Sequence, residues 1–401
     1  MISAKKTTMP TRHKVTKSGL YLNADTKSSR IKLWKALVEP HAWHLYPVVS
    51  YIIQPSKPNI IYSTPVLIIL YHNQKELLSE LFVVFDDYIE TYVIMINKGD
   101  GEMTFIIEDS KCIFAMSSEN DAVMRVPDGA EVIFKTKDAL DNQIRSEDVS
   151  FESLDWDHVN PASGPVYVEG AEPGDVLCVK IKDIRIGDQA TMITGPGLGV
   201  ASGQLKDNFV KVMPVKNGFV EFSEQIKVPI RPMIGVIGVA PAPNEGSINC
   251  GTPDAHGGNM DCKEITAGVS LYLPVNVPGA GLAMGDLHAV MADGEVSVCG
   301  AEIPGEVTVE VSVLKGKPLP TPLLVNKETV MTIASAETLD EAAELAALNA
   351  AHLIMDQTEM PLAEAISLLS LAGNLAICQV VDPLKTARME MPKSVFNFIK
   401  I

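Results

Sequence analysis

Between Asp254 and Glu302 the chain gathers residue types that can hold a cation and move protons. The stretch reads Asp254-Ala-His256-Gly257-Gly258-Asn259-Met-Asp261, then Gly285-Asp286-Leu-His288, then Asp293-Gly-Glu295, and closes on Ala301-Glu302. Asp286 and His288 lie two apart, a spacing that on a strand turns both side chains to one face, where they can share a cation or where the carboxylate can orient the imidazole. His256 and Asp261 flank a double glycine, whose backbone is free to turn tightly and approach a ligand closely. Mixed histidine and carboxylate sets suit zinc and similar divalent ions in catalytic sites, which keep one position open for water. The plainer reading makes this segment a run of solvated turns, in which Asp and Gly are common and the histidines are merely hydrogen-bonded. That reading weighs more on His256 than on the Asp286/His288 pair.

A thiol alternative exists in Cys262, next to Asp261 and followed by Lys263 and Glu264. Consecutive side chains diverge on strands and helices alike, so this triplet does not converge on one reacting atom. No Gly-x-Ser-x-Gly turn is present to support a serine nucleophile.

Predominantly β structure is expected to position these groups. Glu172-Pro-Gly-Asp175 reads as a turn, after which Leu177, Val179 and Ile181 alternate with Cys178, Lys180 and Lys182. Val307, Val309, Val311 and Val313 share one face of a second strand that opens at Gly305, and Pro127-Asp-Gly129 precedes a third at Val132, Ile133 and Phe134. After Ala334 the period changes. Thr338 and Glu341 form a capping box ahead of an Ala/Leu-rich helix that runs through Leu353. A second helix is expected from about Thr358, with Pro361 in its first turn, Leu362, Ile366 and Leu369 at helical spacing, and an end near Gly373-Asn374. Strands first and helices last predict an α+β fold: a β-rich core of sandwich or barrel-like sheets with a C-terminal helical hairpin.

Composition narrows the partners. A net charge of -17 disfavours nucleic acid and anionic membrane surfaces, and a small molecule fits better. Six cysteines without a C-x-x-C pair, and an amino terminus without a secretory apolar run, point to a reducing cytoplasm. No stretch reaches the roughly 18 apolar residues of a membrane span. Residues 1 to 100 hold seven of nine tyrosines, and their 12 Lys and Arg against 8 Asp and Glu give +4, leaving -21 for the remainder. Residues 1 to 102 are therefore set apart as an atypical segment, weakly ordered or translated upstream sequence with the true start at Met103. The alternative is a small added domain. Residues 103 to 401 form the main domain.

The motifs His256-Gly-Gly-Asn-Met-Asp261 and Gly285-Asp-Leu-His288 with Asp293-Gly-Glu295 resemble signature stretches of the acetamidase/formamidase family. So do Asn160-Pro-Ala-Ser-Gly-Pro165, the run from Tyr167 to Asp175, and the glycine-rich run from Arg231 to Pro241. The resemblance extends from about Met103 to about Lys393, with Ala292 where the family usually has glycine and Ser163 where it usually has threonine. It implies a β-rich cytoplasmic enzyme that hydrolyses formamide, acetamide and related short amides, associated with a divalent metal.

On that resemblance the expected nucleophile is water activated by metal, because a metal lowers the pKa of water from about 15.7 to about 7. His256, Asp261, Asp286 and His288 are assigned to the metal and Glu295 to acid/base work, with Glu302 as the next candidate. Asn259 is assigned to the carbonyl oxygen, and Asp293, Gly257 and Gly258 to substrate binding. Zinc is the first expectation for the metal and calcium the second; a homodimer is expected from exposed β edges. The competing class is a non-catalytic, calcium-binding β protein.

Overall fold

In the computed structural model, residues 103–316 and 319–401 are described, and before them only the backbone of seven short strands. The chain divides into two units, Met1–Ile106 and Ile107–Ile401. In the first, strands Val66–His72, Leu78–Phe85 and Tyr92–Asn97 pair antiparallel in chain order. The expectation for residues 1 to 102 otherwise lies outside the described residues.

The second unit is built on alternation. In strand Gly305–Leu314, Val307, Val309 and Val311 are fully buried, and they meet Phe134 and Val132 of strand Glu131–Thr136 on one side. On the other side Val309 and Val311 meet Ile181 and Val179 of strand Val176–Ile186. Each such valine contributes about 1.5–3 kcal/mol by leaving water. The antiparallel sheet continues from Val176–Ile186 through Ser270–Pro274, Leu323–Val325, Thr329–Ala336 and Lys385–Pro392 to Asn374–Gln379.

A second sheet runs in the order Met124–Val126, Ala162–Val168, Ala280–His288, Met233–Gly238. Strand Glu131–Thr136 of the first sheet lies against two of its strands, and the Ser163 hydroxyl donates to the Lys135 carbonyl at 2.6 Å. A meander of Gln189–Thr194, Phe209–Lys216, Phe219–Glu221 and Lys227–Pro229 stands beside it. The unit is thus α+β with stacked sheets, as expected.

Helix α1, Leu339–Gln357, begins at the expected capping box: the Glu341 amide donates to Thr338 Oγ1 at 3.2 Å, and the Thr338 amide donates to Glu341 Oε2 at 3.1 Å. Its Ala342, Ala346 and Ala350 stripe lets it lie close on strands Thr329–Ala336 and Lys385–Pro392. Helix α2, Leu362–Ala372, packs against α1 to complete the hairpin. The chain does not end on helices. Asn374–Gln379 and Lys385–Pro392 follow as an antiparallel pair and return to the sheet. Thr386 to Met389 are buried without a break, so this last strand lacks the alternation that marks a half-exposed strand. No described helix is long and apolar enough to cross a membrane.

Candidate metal and active site

Strand Ala280–His288 is central in its sheet and almost wholly buried, and it delivers Asp286 and His288 to one place. His288 Nε2 lies 3.2 Å from Asp286 Oδ1 and 3.2 Å from Glu302 Oε1. Asp261 Oδ1 is 3.8 Å and Glu295 Oε1 3.9 Å from the same nitrogen. Glu302 is set by main-chain pairing, its amide donating to Thr191 O at 2.9 Å while the Thr191 amide donates to Glu302 O at 2.8 Å.

Asp261, Asp286 and Glu295 all have positive φ, at 41°, 54° and 47°. Left-handed backbone is costly for residues with a side chain, and three such positions around one point mark a constellation held by its surroundings. Two glycines make the room. A Cβ at Gly235 would sit 2.4 Å from Asp286 Oδ2 and 2.5 Å from Asp261 Oδ1, and one at Gly300 would sit 2.5 Å from His288 Nδ1.

Three overlapping groups could each hold a cation: Asp261 with Asp286 and His288; His288 with Glu295 and Glu302; and Asp261 with Glu295 and Asp382. In each, the candidate ligand atoms lie within 4.8 Å of one another. Asp382, only partly buried, closes the cluster from the loop after strand Asn374–Gln379, and Asn259 Nδ2 donates to its Oδ2 at 3.1 Å.

The electrostatics fit a cation. Both carboxylate oxygens of Asp261, Glu295 Oε2 and Glu302 Oε2 are buried without a protein hydrogen-bond partner. Buried ionised carboxylates are unfavourable unless paired, protonated or bound to metal. Burial, reinforced by the Asp286 and Asp382 charges, raises the Asp261 carboxyl well above the usual carboxylate range. Burial and the nearby Asp261 do the same to Glu295. Burial raises Glu302 against the opposing pull of His288. Burial, then Glu295, raises Asp382. His288 is the counter-charge: burial pushes its pKa down, but Glu302 and Asp286 carry it well above the ordinary imidazole value. Burial acts upward on Asp286 too, and its contacts with His288 outweigh it, so this carboxyl falls below its usual value. A divalent ion bound here would replace the protons that the cluster otherwise needs.

The other expected residues lie around this centre. His256 is outside the three groups; it is buried, both ring nitrogens lack a protein partner, and burial lowers its pKa. Its carbonyl accepts from the Val239 amide at 3.0 Å, which binds the turn to strand Met233–Gly238. Gly257 and Gly258, at φ 97° and 80°, permit that approach, since a Cβ on either would lie 2.4 Å from a backbone carbonyl oxygen. Asp293 is spent on cations: Arg388 Nη1 and Nη2 donate to it at 2.7 and 3.0 Å, and Lys263 Nζ lies 2.7 Å away. It anchors the turn that carries Glu295.

The Cys262-Lys263-Glu264 triplet diverges: Cys262 is buried beside Cys378, Lys263 reaches Asp293, and Glu264 accepts from Arg231 at 2.6 Å. Glu302, expected only as an alternative to Glu295, stands in the cluster beside it, and Asp382 joins them unannounced by any motif. Asp382 lies 80 positions beyond Glu302, in an apolar run with no histidine nearby, so spacing alone gave no signal for it.

The profile of the acetamidase/formamidase family matches residues 116–246 and 244–398. The crystal structure of an acetamidase from Bacillus halodurans superposes with a TM-score of 0.72 at 45% identity, covering 74% of this chain and 100% of that one. A recombinant predicted acetamidase/formamidase from Thermoanaerobacter tengcongensis gives 0.72 at 47% identity, covering 74% and 98%. Formamidase from Methylophilus methylotrophus is 29% identical over 251 residues, 48% of this chain and 61% of that protein. The curated relatives are thus matched over 61% to 64% of their own length.

Proposed function

The chain belongs to the acetamidase/formamidase family, and we propose that it hydrolyses short linear amides such as formamide and acetamide to ammonia and the carboxylate. The observation that carries this reading is the set of buried carboxylate oxygens without protein partners around His288. Asp261, Asp286 and His288 would hold the divalent ion, with Asp382 joining them beside Asp261, and zinc is expected first because a histidine nitrogen joins the carboxylates. Such an ion supplies a Lewis acid that polarises the amide carbonyl and acidifies water.

The chain's own groups do the rest. Glu295, buried with Oε1 3.9 Å from His288 Nε2 at the edge of the cluster, takes a proton from the attacking water and returns one to the leaving nitrogen. Asn259 uses one Nδ2 hydrogen on Asp382 and has the other for a carbonyl oxygen, while its Oδ1, buried without a partner, can accept from the substrate amide N–H. Together these let Asn259 read both halves of an amide. His256, Gly257 and Gly258 shape the approach to this point, and Asp293 holds the Glu295 turn through Arg388.

A reducing cytoplasm, consistent with six free cysteines, and a homodimer belong to the same reading. Ammonia release from formamide, acetamide and propionamide tests the activity. Release from none of them, with calcium as the sole bound ion, would favour a binding protein.

A further inference from the structure

We propose that Gln379 is a positioning residue that sets Asp382 and Glu295 in register with each other, an inference that rests on reading their cluster as a cation-dependent hydrolytic site. Gln379 is fully buried at the inner end of strand Asn374–Gln379. Its side chain closes the loop that carries Asp382 from within. Oε1 accepts from the Val381 amide at 2.9 Å and the Asp382 amide at 3.0 Å. Nε2 donates to Leu384 O at 2.6 Å and to Thr386 Oγ1 at 3.0 Å. Both lone pairs and both hydrogens of the amide are used, which fixes its orientation and the loop with it.

The main chain of the same segment holds Glu295. Gly294 bridges to Gln379 in parallel register; its amide donates to Cys378 O at 2.8 Å, and the Val380 amide donates to Gly294 O at 3.2 Å. Two carboxylates far apart in sequence therefore hang on one segment, Glu295 through the main chain of Cys378 and Val380 and Asp382 through the Gln379 side chain, and with Asp261 they bring oxygens within 4.8 Å of one another. No other amino acid reproduces this set of bonds. Glutamate would turn an oxygen against Leu384 O and add charge beside an acidic cluster, asparagine is a methylene short, and methionine keeps the shape while losing all four bonds.

Gln379→Met, Asp382→Asn and the double variant are compared in the full chain by zinc titration calorimetry and by kcat and KM for acetamide. Thr332→Val serves as comparator, since it removes a buried bond from Thr332 Oγ1 to Ala346 O away from the site. Gln379→Met is expected to lower zinc affinity and kcat/KM by about 10- to 100-fold, the scale for groups that orient ligands. It should add almost nothing to Asp382→Asn, whereas Thr332→Val leaves zinc affinity unchanged. Unchanged zinc affinity and kcat/KM in Gln379→Met, or losses that multiply with those of Asp382→Asn, would overturn the proposal. If the wild-type chain releases no ammonia, the hydrolytic reading fails and the zinc cycle alone decides the role of Gln379. If it hydrolyses acetamide without binding zinc, the kinetic cycle decides. Should Gln379→Met not fold, Thr386→Val removes one of the four bonds; a smaller loss in the same direction supports the proposal, and unchanged zinc affinity overturns it.

Discussion

Gly235 faces Asp286 so closely that a Cβ on the glycine would lie 2.4 Å from the carboxylate oxygen Oδ2. The absent side chain is what allows two acidic residues, Asp261 and Asp286, to turn into one buried point. Gly235→Ala is therefore expected to displace a carboxylate, at an overpacking cost of about 1–3 kcal/mol. Zinc affinity and turnover should fall together in the folded variant. Wild-type zinc binding by Gly235→Ala would show that this clearance has no bearing on the site.

Glu295→Gln preserves shape but cannot relay a proton. Turnover should drop by about 100-fold or more, with zinc still bound through Asp261, Asp286 and His288. Near-normal turnover with zinc retained would move the role to Glu302, whose Oε1 sits 3.2 Å from His288 Nε2.

The pH dependence follows from the direction of the shifts. Asp261, Glu295 and Glu302 have raised folded-state pKa values, so the metal-free fold binds more protons than the unfolded chain above the ordinary carboxylate range. Raised His288 acts in the same sense, its stabilisation being fully present below the unfolded imidazole value and lost as pH rises through the folded one. Chelated protein should thus lose thermal stability as pH climbs from about 5 to about 8. Zinc should offset the loss and release protons on binding, visible as a buffer-dependent calorimetric enthalpy. A metal-free melting temperature that rises across that range would contradict the assignment of these groups.

A chain beginning at Met103 is expected to fold and to match the full chain's specific activity. The whole length of the Bacillus halodurans structure is covered by 74% of this chain, and the family profile begins at residue 116. Insolubility, or loss of ammonia release, would assign the first 102 residues to the working protein.

Much of the fold was legible because half-buried strands and capped helices leave periodic marks. Val307, Val309 and Val311 declared their face by parity, and Thr338 with Glu341 declared the start of α1. The strands after α2 were not legible, since Lys385–Pro392 is buried on consecutive positions and carries no alternation. In the site, Asp286 and His288 were readable from their spacing of two. Asp382 and Gln379 were not, because only the return of the final strand pair brings them beside Glu295. His256 shares the glycine-rich motif with Asp261, yet the turn at Gly257 and Gly258 separates their destinations.

If the buried cluster works through a divalent ion, activity must follow the ion's removal and return. Protein dialysed against a strong chelator, with metal content verified by mass spectrometry, is assayed for ammonia release from acetamide and formamide before and after zinc is returned. Release should disappear with the metal and return with zinc in the wild type, but not in His288→Ala. Full activity in verifiably metal-free protein would contradict it.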